Sequence, residues 1–203
     1  MTRPTLLTRL PERARPLLPL VAGLGLAQAR VHEGCGTARR SFAALVAGAA
    51  PGPVIWIAPA WAPERLNPEG LARFVEPGRI LFVAARRDED LLWCAEEALR
   101  AGCAGLVVAE LPALPGLTPV RRLQLAAETG AAEGRLPPLG LLLTPGAGGA
   151  RGVETRWRMT PAHAPDAEGW RLERLRARQD PPACWHLSQG AGGWCADPAP
   201  LPG

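Results

Sequence analysis

Four short, almost uniformly apolar runs recur along this chain: PVIWIA at 53–58, RILFV at 79–83, GLVVA at 105–109 and LGLLL at 139–143. Runs of this length without polar alternation fit strands buried on both faces of a parallel sheet. Each is followed or preceded by a helix-length segment. The clearest helix is Asp88 to Ala101, where Leu92, Ala95 and Leu99 recur at helical spacing. Asp88 can cap it, and Gly102 supplies a stop. A second helix is expected from a Thr118-Pro119 cap to Gly130, and Pro63 to Phe74 is expected to be partly helical, with Pro68 limiting its length. Strands and helices in alternation predict an α/β layer fold with a mostly parallel sheet and right-handed crossovers.

The first βα unit carries the most chemistry. Val31-His32-Glu33 reads as a short strand, and Thr37 to Gly48 as a helix, with a glycine-rich turn between them. Gly34, four residues, then Arg39-Arg40-Ser41 has the spacing of a phosphate loop, G-x-x-x-x-G-K-[ST]. Arg39 stands where the second glycine belongs and Arg40 where the lysine belongs. A long side chain at the first position obstructs the backbone from curling around phosphate oxygens. The residues that would form such a site are Gly34, Gly36, Arg40 and Ser41. Glu110, closing the GLVVA strand, is positioned like a metal-organising carboxylate. The amides from Gly34 to Thr37 retain the means to bind an anion at the helix start. The end of the second strand, Ala58-Pro59-Ala60-Trp61, offers no carboxylate to activate water. His32 and Glu33, adjacent in a strand, point to opposite faces; one closes the strand end while the other contacts a neighbouring loop.

Composition narrows the class. With 203 residues, 47% of them apolar and seven Trp, the chain suits one domain with a sizeable core. All 23 basic residues are Arg, and the net charge of +4 collects in the first thirty residues, where Arg3, Arg9, Arg13, Arg15 and Arg30 face only Glu12. That excess permits nucleic-acid affinity without requiring it. Five Cys without C-x-x-C spacing give no zinc pattern and fit a reduced cytoplasmic protein. The apolar run Leu17 to Ala27, ending near Ala27-Gln28-Ala29, resembles a signal peptide but is interrupted by Pro19 and too short to span a membrane.

After Pro145 the pattern changes. Gly146 to Gly149 begins a flexible stretch. VETRWRMT (153–160) and WRLERLR (170–176) then alternate as antiparallel strands, and Ala183 to Ser188 forms a last short one. Arg156, Arg158 and Arg174, interleaved with Trp157 and Trp170, read as a contact surface for a protein partner, with DNA secondary. Trp93 on the Asp88 helix and the Arg121-Arg122 pair are further candidate contacts. The expected organisation is a basic arm at 1–29, an α/β core at 30–145, a β extension of the same domain at 146–189 and a disordered tail at 190–203.

Several segments together are similar to one family: VHEGCG (31–36), PVIWIAPAW (53–61), DEDLLWCAEEALRAG (88–102), LVVAELP (106–112), LTPVRRLQLAAETG (117–130) and VETRWRM (153–159). On these the chain resembles ImuA, the RecA-like accessory protein of bacterial damage-induced mutagenesis cassettes, in a short alphaproteobacterial form. The resemblance implies a RecA-like P-loop NTPase-type core with a degenerate nucleotide loop. It implies a non-catalytic adaptor in SOS-induced translesion synthesis, with no cofactor. The implied partners are an inactive Y-family-like polymerase homologue, an error-prone replicative-type polymerase and RecA. The alternatives are weak ATP binding or a DNA-dependent ATPase that uses ATP and magnesium, and a recombinase-like module binding single-stranded DNA.

Overall fold

The computed structural model describes residues 16–165, 167–178, 180–190 and 193–201. Three of the apolar runs, 53–58, 105–109 and 139–143, lie inside a nine-stranded sheet. The fourth, 79–83, forms its edge, so the expected burial on both faces fails there at Leu81 and Phe82. The strand β3 (Val31–Cys35) leads into helix α1 (Arg39–Ala49), and β4 (Val54–Pro59) into a short helix α2 (Pro68–Ala72). Next come β5 (Ile80–Ala85), α3 (Asp88–Ala101), β6 (Leu106–Glu110), α4 (Leu117–Glu133) and β7 (Leu139–Leu143). The last third adds β8 (Arg156–Pro161), β9 (Gly169–Arg176), β10 (Ala183–Gly190) and β11 (Gly193–Ala199). The spatial order is β11-β10-β9-β8-β3-β7-β6-β4-β5. Pairing is parallel from β8 through to β5 and antiparallel from β8 out to β11. The mixed α/β architecture with a large, mostly parallel sheet is therefore as expected, as is an antiparallel extension.

Two apolar layers hold the sheet. Helix α1 packs on one face with Phe42 and Val46 against Trp56, Leu106, Leu141 and Trp157. Helices α3 and α4 cover the other face, with Leu91, Leu99 and Leu123 against Ile57, Val107 and Leu142. The α3 and α4 backbones come so close that a Cβ on Gly130 would lie 2.0 Å from the Leu99 carbonyl oxygen. Only glycine permits that approach.

Several local readings are corrected. Pro68 starts α2 instead of ending a helix, because Asn67 accepts from the Glu69 amide at 3.1 Å and Pro68 needs no donor there. Neither Asp88 nor Thr118 is a cap: Arg87 and Gly116 hold those positions without a side-chain bond. The tail expected to be disordered from 190 instead contributes β11, paired along β10 from Gly190↔Gly193 to Cys184↔Ala199. Trp194 stacks on Phe74 with ring centres 4.9 Å apart, and this apolar anchor holds a Gly- and Pro-rich segment in place.

Residues 1–15 of the basic arm lie outside the described residues. Its remainder is no arm: β1 (Leu17–Pro19) and β2 (Gly25–Ala27) form a hairpin that buries Leu18, Val21, Leu24 and Leu26 in the α1 layer. His32 fastens this hairpin to the sheet. The Ala27 carbonyl can only accept, so the proton sits on Nε2 and donates to it at 2.9 Å. Nδ1 then accepts from the Thr155 hydroxyl at 2.7 Å, and Thr155 in turn accepts from the Trp157 indole. Burial pushes the His32 pKa down to about 4, opposed in part by the bond to Ala27. Because the folded value is depressed, the contribution is complete above the unfolded value near 6.5 and is lost as pH falls towards 4. About 3 kcal/mol of stability should disappear across that window. Urea unfolding at several pH values checks this: His32→Gln should flatten that part of the profile.

Candidate functional site

The turn between β3 and α1 is only three residues long, Gly36 to Ala38. Two of its three amides, those of Gly36 and Ala38, already have partners. The Gly36 N–H donates to the Gly146 carbonyl at 3.1 Å, the Ala38 N–H to the Met159 carbonyl at 3.0 Å, and the Arg39 N–H to the Gly36 carbonyl at 3.3 Å. Gly36 has φ +87°, and a Cβ there would sit 2.5 Å from the Met159 oxygen. The end of β8 thus fills the hollow that a phosphate would need. The expectation that amides from Gly34 to Thr37 bind an anion fails at Gly36, because a protein carbonyl takes the donor. Gly34 itself is a paired sheet residue, with its carbonyl accepting from Thr144.

The side chains at the site are also self-satisfied. Arg40, second residue of α1, donates from Nε and Nη2 to Glu110 Oε2 at 3.0 and 2.8 Å, and from Nη1 to Glu64 Oε2 at 2.7 Å. Trp56 in β4 donates its indole N–H to Glu110 Oε1 at 2.8 Å. Both oxygens of the acid at the end of β6 are therefore engaged. Burial disfavours the Arg40 charge, but the bond from Glu110 and the attraction of Glu110 and Glu64 outweigh it and raise its pKa further. Arg40 and Glu110 are brought together as the sequence pattern implied, yet they neutralise each other. Arg39 reaches only the Gly36 carbonyl, at 3.4 Å. Ser41 is partly buried on α1. These residues fit ATP and magnesium poorly: the Gly36 and Ala38 amides are spent on protein carbonyls and the acid is held by an arginine.

Sequence reasoning missed Trp56 and Glu64. An indole inside an apolar run signals the first, because a buried N–H requires an acceptor. It also missed the weight carried by Glu33. This carboxylate is fully buried and accepts from Thr144 Oγ1 at 2.6 Å, from the Gly149 amide at 2.8 Å and the Ala150 amide at 3.0 Å, and from Arg156 Nε. It pins the glycine-rich segment after β7, so 146–149 is an anchored turn and not a flexible stretch. Next to it the Cys35 thiol is pushed up to about 11, by burial first and by Glu33 second.

The distal Arg/Trp surface is mostly interior. Trp157 is 1% exposed and Trp170 6%, both in the α1 core. Arg156 neutralises Glu33, and Arg158 makes a two-pronged pair with Glu173 at 2.6 and 2.7 Å. Arg174 lies over the Trp157 and Trp185 rings at 5.8 and 5.4 Å and reaches Asp180. Burial withdraws Trp157 and Trp170 from the expected contact surface, while Arg156, Arg158 and Arg174 are partly exposed and already engaged within the protein. Their alternation is real, but Phe42 of α1 covers Trp157, Phe74 and Trp194 cover Trp170, Arg174 shares that indole face, and carboxylates take Arg156 and Arg158 on the other. Trp93 on α3 is different, being 60% exposed. Arg121 and Arg122 are exposed on α4, and Arg122 bridges to Glu96 of α3 at 2.7 Å. Arg100 also pairs with Glu96, the i,i+4 contact expected from the sequence.

No protein-family model and no curated protein sequence matches this chain. No helix among the described residues is long and apolar enough to cross a membrane.

Proposed function

We propose that this protein is a non-catalytic, RecA-like accessory protein of SOS-induced translesion synthesis. It would act as an adaptor for mutasome polymerase proteins and RecA, in the cytoplasm and at the nucleoid when recruited. One observation carries the non-catalytic half: Gly146 and Met159 carbonyls take the Gly36 and Ala38 amides while Glu110 and Glu64 take Arg40. Phosphoryl transfer depends almost entirely on donors and charges left open for the phosphates, and here the Gly36 and Ala38 amides, Arg40 and Glu110 are all engaged within the protein. The RecA-like reading is supported by the placing of β3 and β6 with β7 between them, so that loop and acid share the carboxyl end of the sheet. Pathway and partners rest on the ImuA resemblance. Trp93 on α3 and Arg121 and Arg122 on α4 remain the candidate contacts, since exposed aromatics and arginines are the residues that anchor interfaces.

Titration of the full chain with ATP and magnesium should give no saturable heat, and phosphate release should not rise with single-stranded DNA. Pull-down from DNA-damaged cells should recover polymerase proteins and RecA. Tight ATP binding with DNA-stimulated turnover that Arg40→Ala abolishes would replace the adaptor with an ATPase. Recovery of no replication or recombination protein would remove the pathway.

A further inference from the structure

The two edges of the large sheet are built differently. The outer strand β11 carries Asp197 and Pro198, both of which discourage edge-to-edge pairing. At the opposite edge, β5 is ILFVAA: six residues with no charge and no proline. Leu81 is 56% exposed and Phe82 60%, and among the described residues no strand pairs beyond β5. Beside it, a cleft of about 320 Å³ opens on the α1 face, with Trp56, Leu66 and Phe82 in its wall and Glu64, Arg65 and Glu110 also lining it.

We propose that β5 pairs antiparallel with β5 of a second copy, around a two-fold axis through Phe82. An axis normal to the sheet keeps each face continuous, so opposed positions must have the same parity. With Phe82 on the axis, Phe82 meets its counterpart, Leu81 meets Val83 and Ile80 meets Ala84. Each phenyl ring then lies against the other copy's cleft. Arg79 falls opposite Ala85, and its guanidinium is drawn back onto the Ala50 and Gly52 carbonyls. Neighbouring registers are worse. An axis at Val83 sets Arg79 against Arg87, and like charges directly opposite are unfavourable. An axis at Leu81 overlaps only residues 80–82 of the two strands. An uncharged strand gives a charged partner nothing to recognise, whereas a copy of itself matches it position by position. The junction is small beside a standard interface of roughly 1,600 Å², so association depends on concentration. This pairing stands apart from the pathway proposed above and holds whichever process the protein serves.

Sedimentation equilibrium of the full chain tests it. The apparent mass should double as concentration rises. Phe82→Glu, at a position already exposed, should remain monomeric throughout while its circular dichroism and melting temperature stay unchanged. Leu81→Asp should behave alike, and Trp93→Glu, on the outer face of α3, should leave the dimer intact. A chain that stays monomeric at the highest concentration overturns the proposal. So does a dimer that survives both β5 substitutions.

Discussion

Glu33→Ala should lower stability by about 3–5 kcal/mol, the cost of leaving a buried ion pair without one member. The substitution takes the acceptor from the Arg156 Nε, two amides and the Thr144 hydroxyl at the centre of the sheet, where Glu33 is fully buried. For a domain of this length the melting temperature should fall by roughly 6–20 °C. Glu33→Gln, which keeps an accepting oxygen but loses the charge, should fall between the two. Thermal and urea unfolding measure both. A loss under about 1 kcal/mol for Glu33→Ala would mean that the carboxylate does not anchor the turn at 146–150.

Trp157→Ala should cost about 3–5 kcal/mol, because it empties a filled space between Phe42, Trp185 and the strands around it. Trp93→Ala should change stability by less than about 0.5 kcal/mol, as expected for an exposed site. The two indoles therefore separate fold from binding. Trp93→Ala should weaken partner recovery with folding intact. Trp157→Ala should weaken it only in proportion to unfolded chain. The opposite pattern, with Trp157→Ala stable and defective in capture, would return Trp157 to the surface.

The contrast between these residues also marks how far the sequence could be read. GLVVA announces burial on both faces because every position is apolar. ILFVAA carries the same signal but lies at the sheet edge with Leu81 and Phe82 exposed, since composition does not tell a central strand from an edge one. Alternation in VETRWRM reveals which residues share a face but not whether a helix covers it, so Trp157 and Arg156 were assigned to a surface. Glu33 was placed beside a loop, yet its partners are supplied by residues 144–156, too far along the chain for spacing to register. The Arg40–Glu110 bond is half legible: the positions suggest proximity, while mutual neutralisation depends on side-chain geometry that spacing does not carry. Pro-rich composition after Gly190 concealed a strand whose Trp194 decides its position.

The placing of β3 has a consequence for how this chain is born. It lies between β7 and β8, and Glu33 bonds Arg156 across 123 residues of sequence. A ribosome therefore releases most of the polypeptide before this early segment can find either neighbour. Until then VHEGC and the hairpin ahead of it remain uncovered, a state that invites chaperone engagement and slows maturation, since distant closures must precede the contacts that reward them.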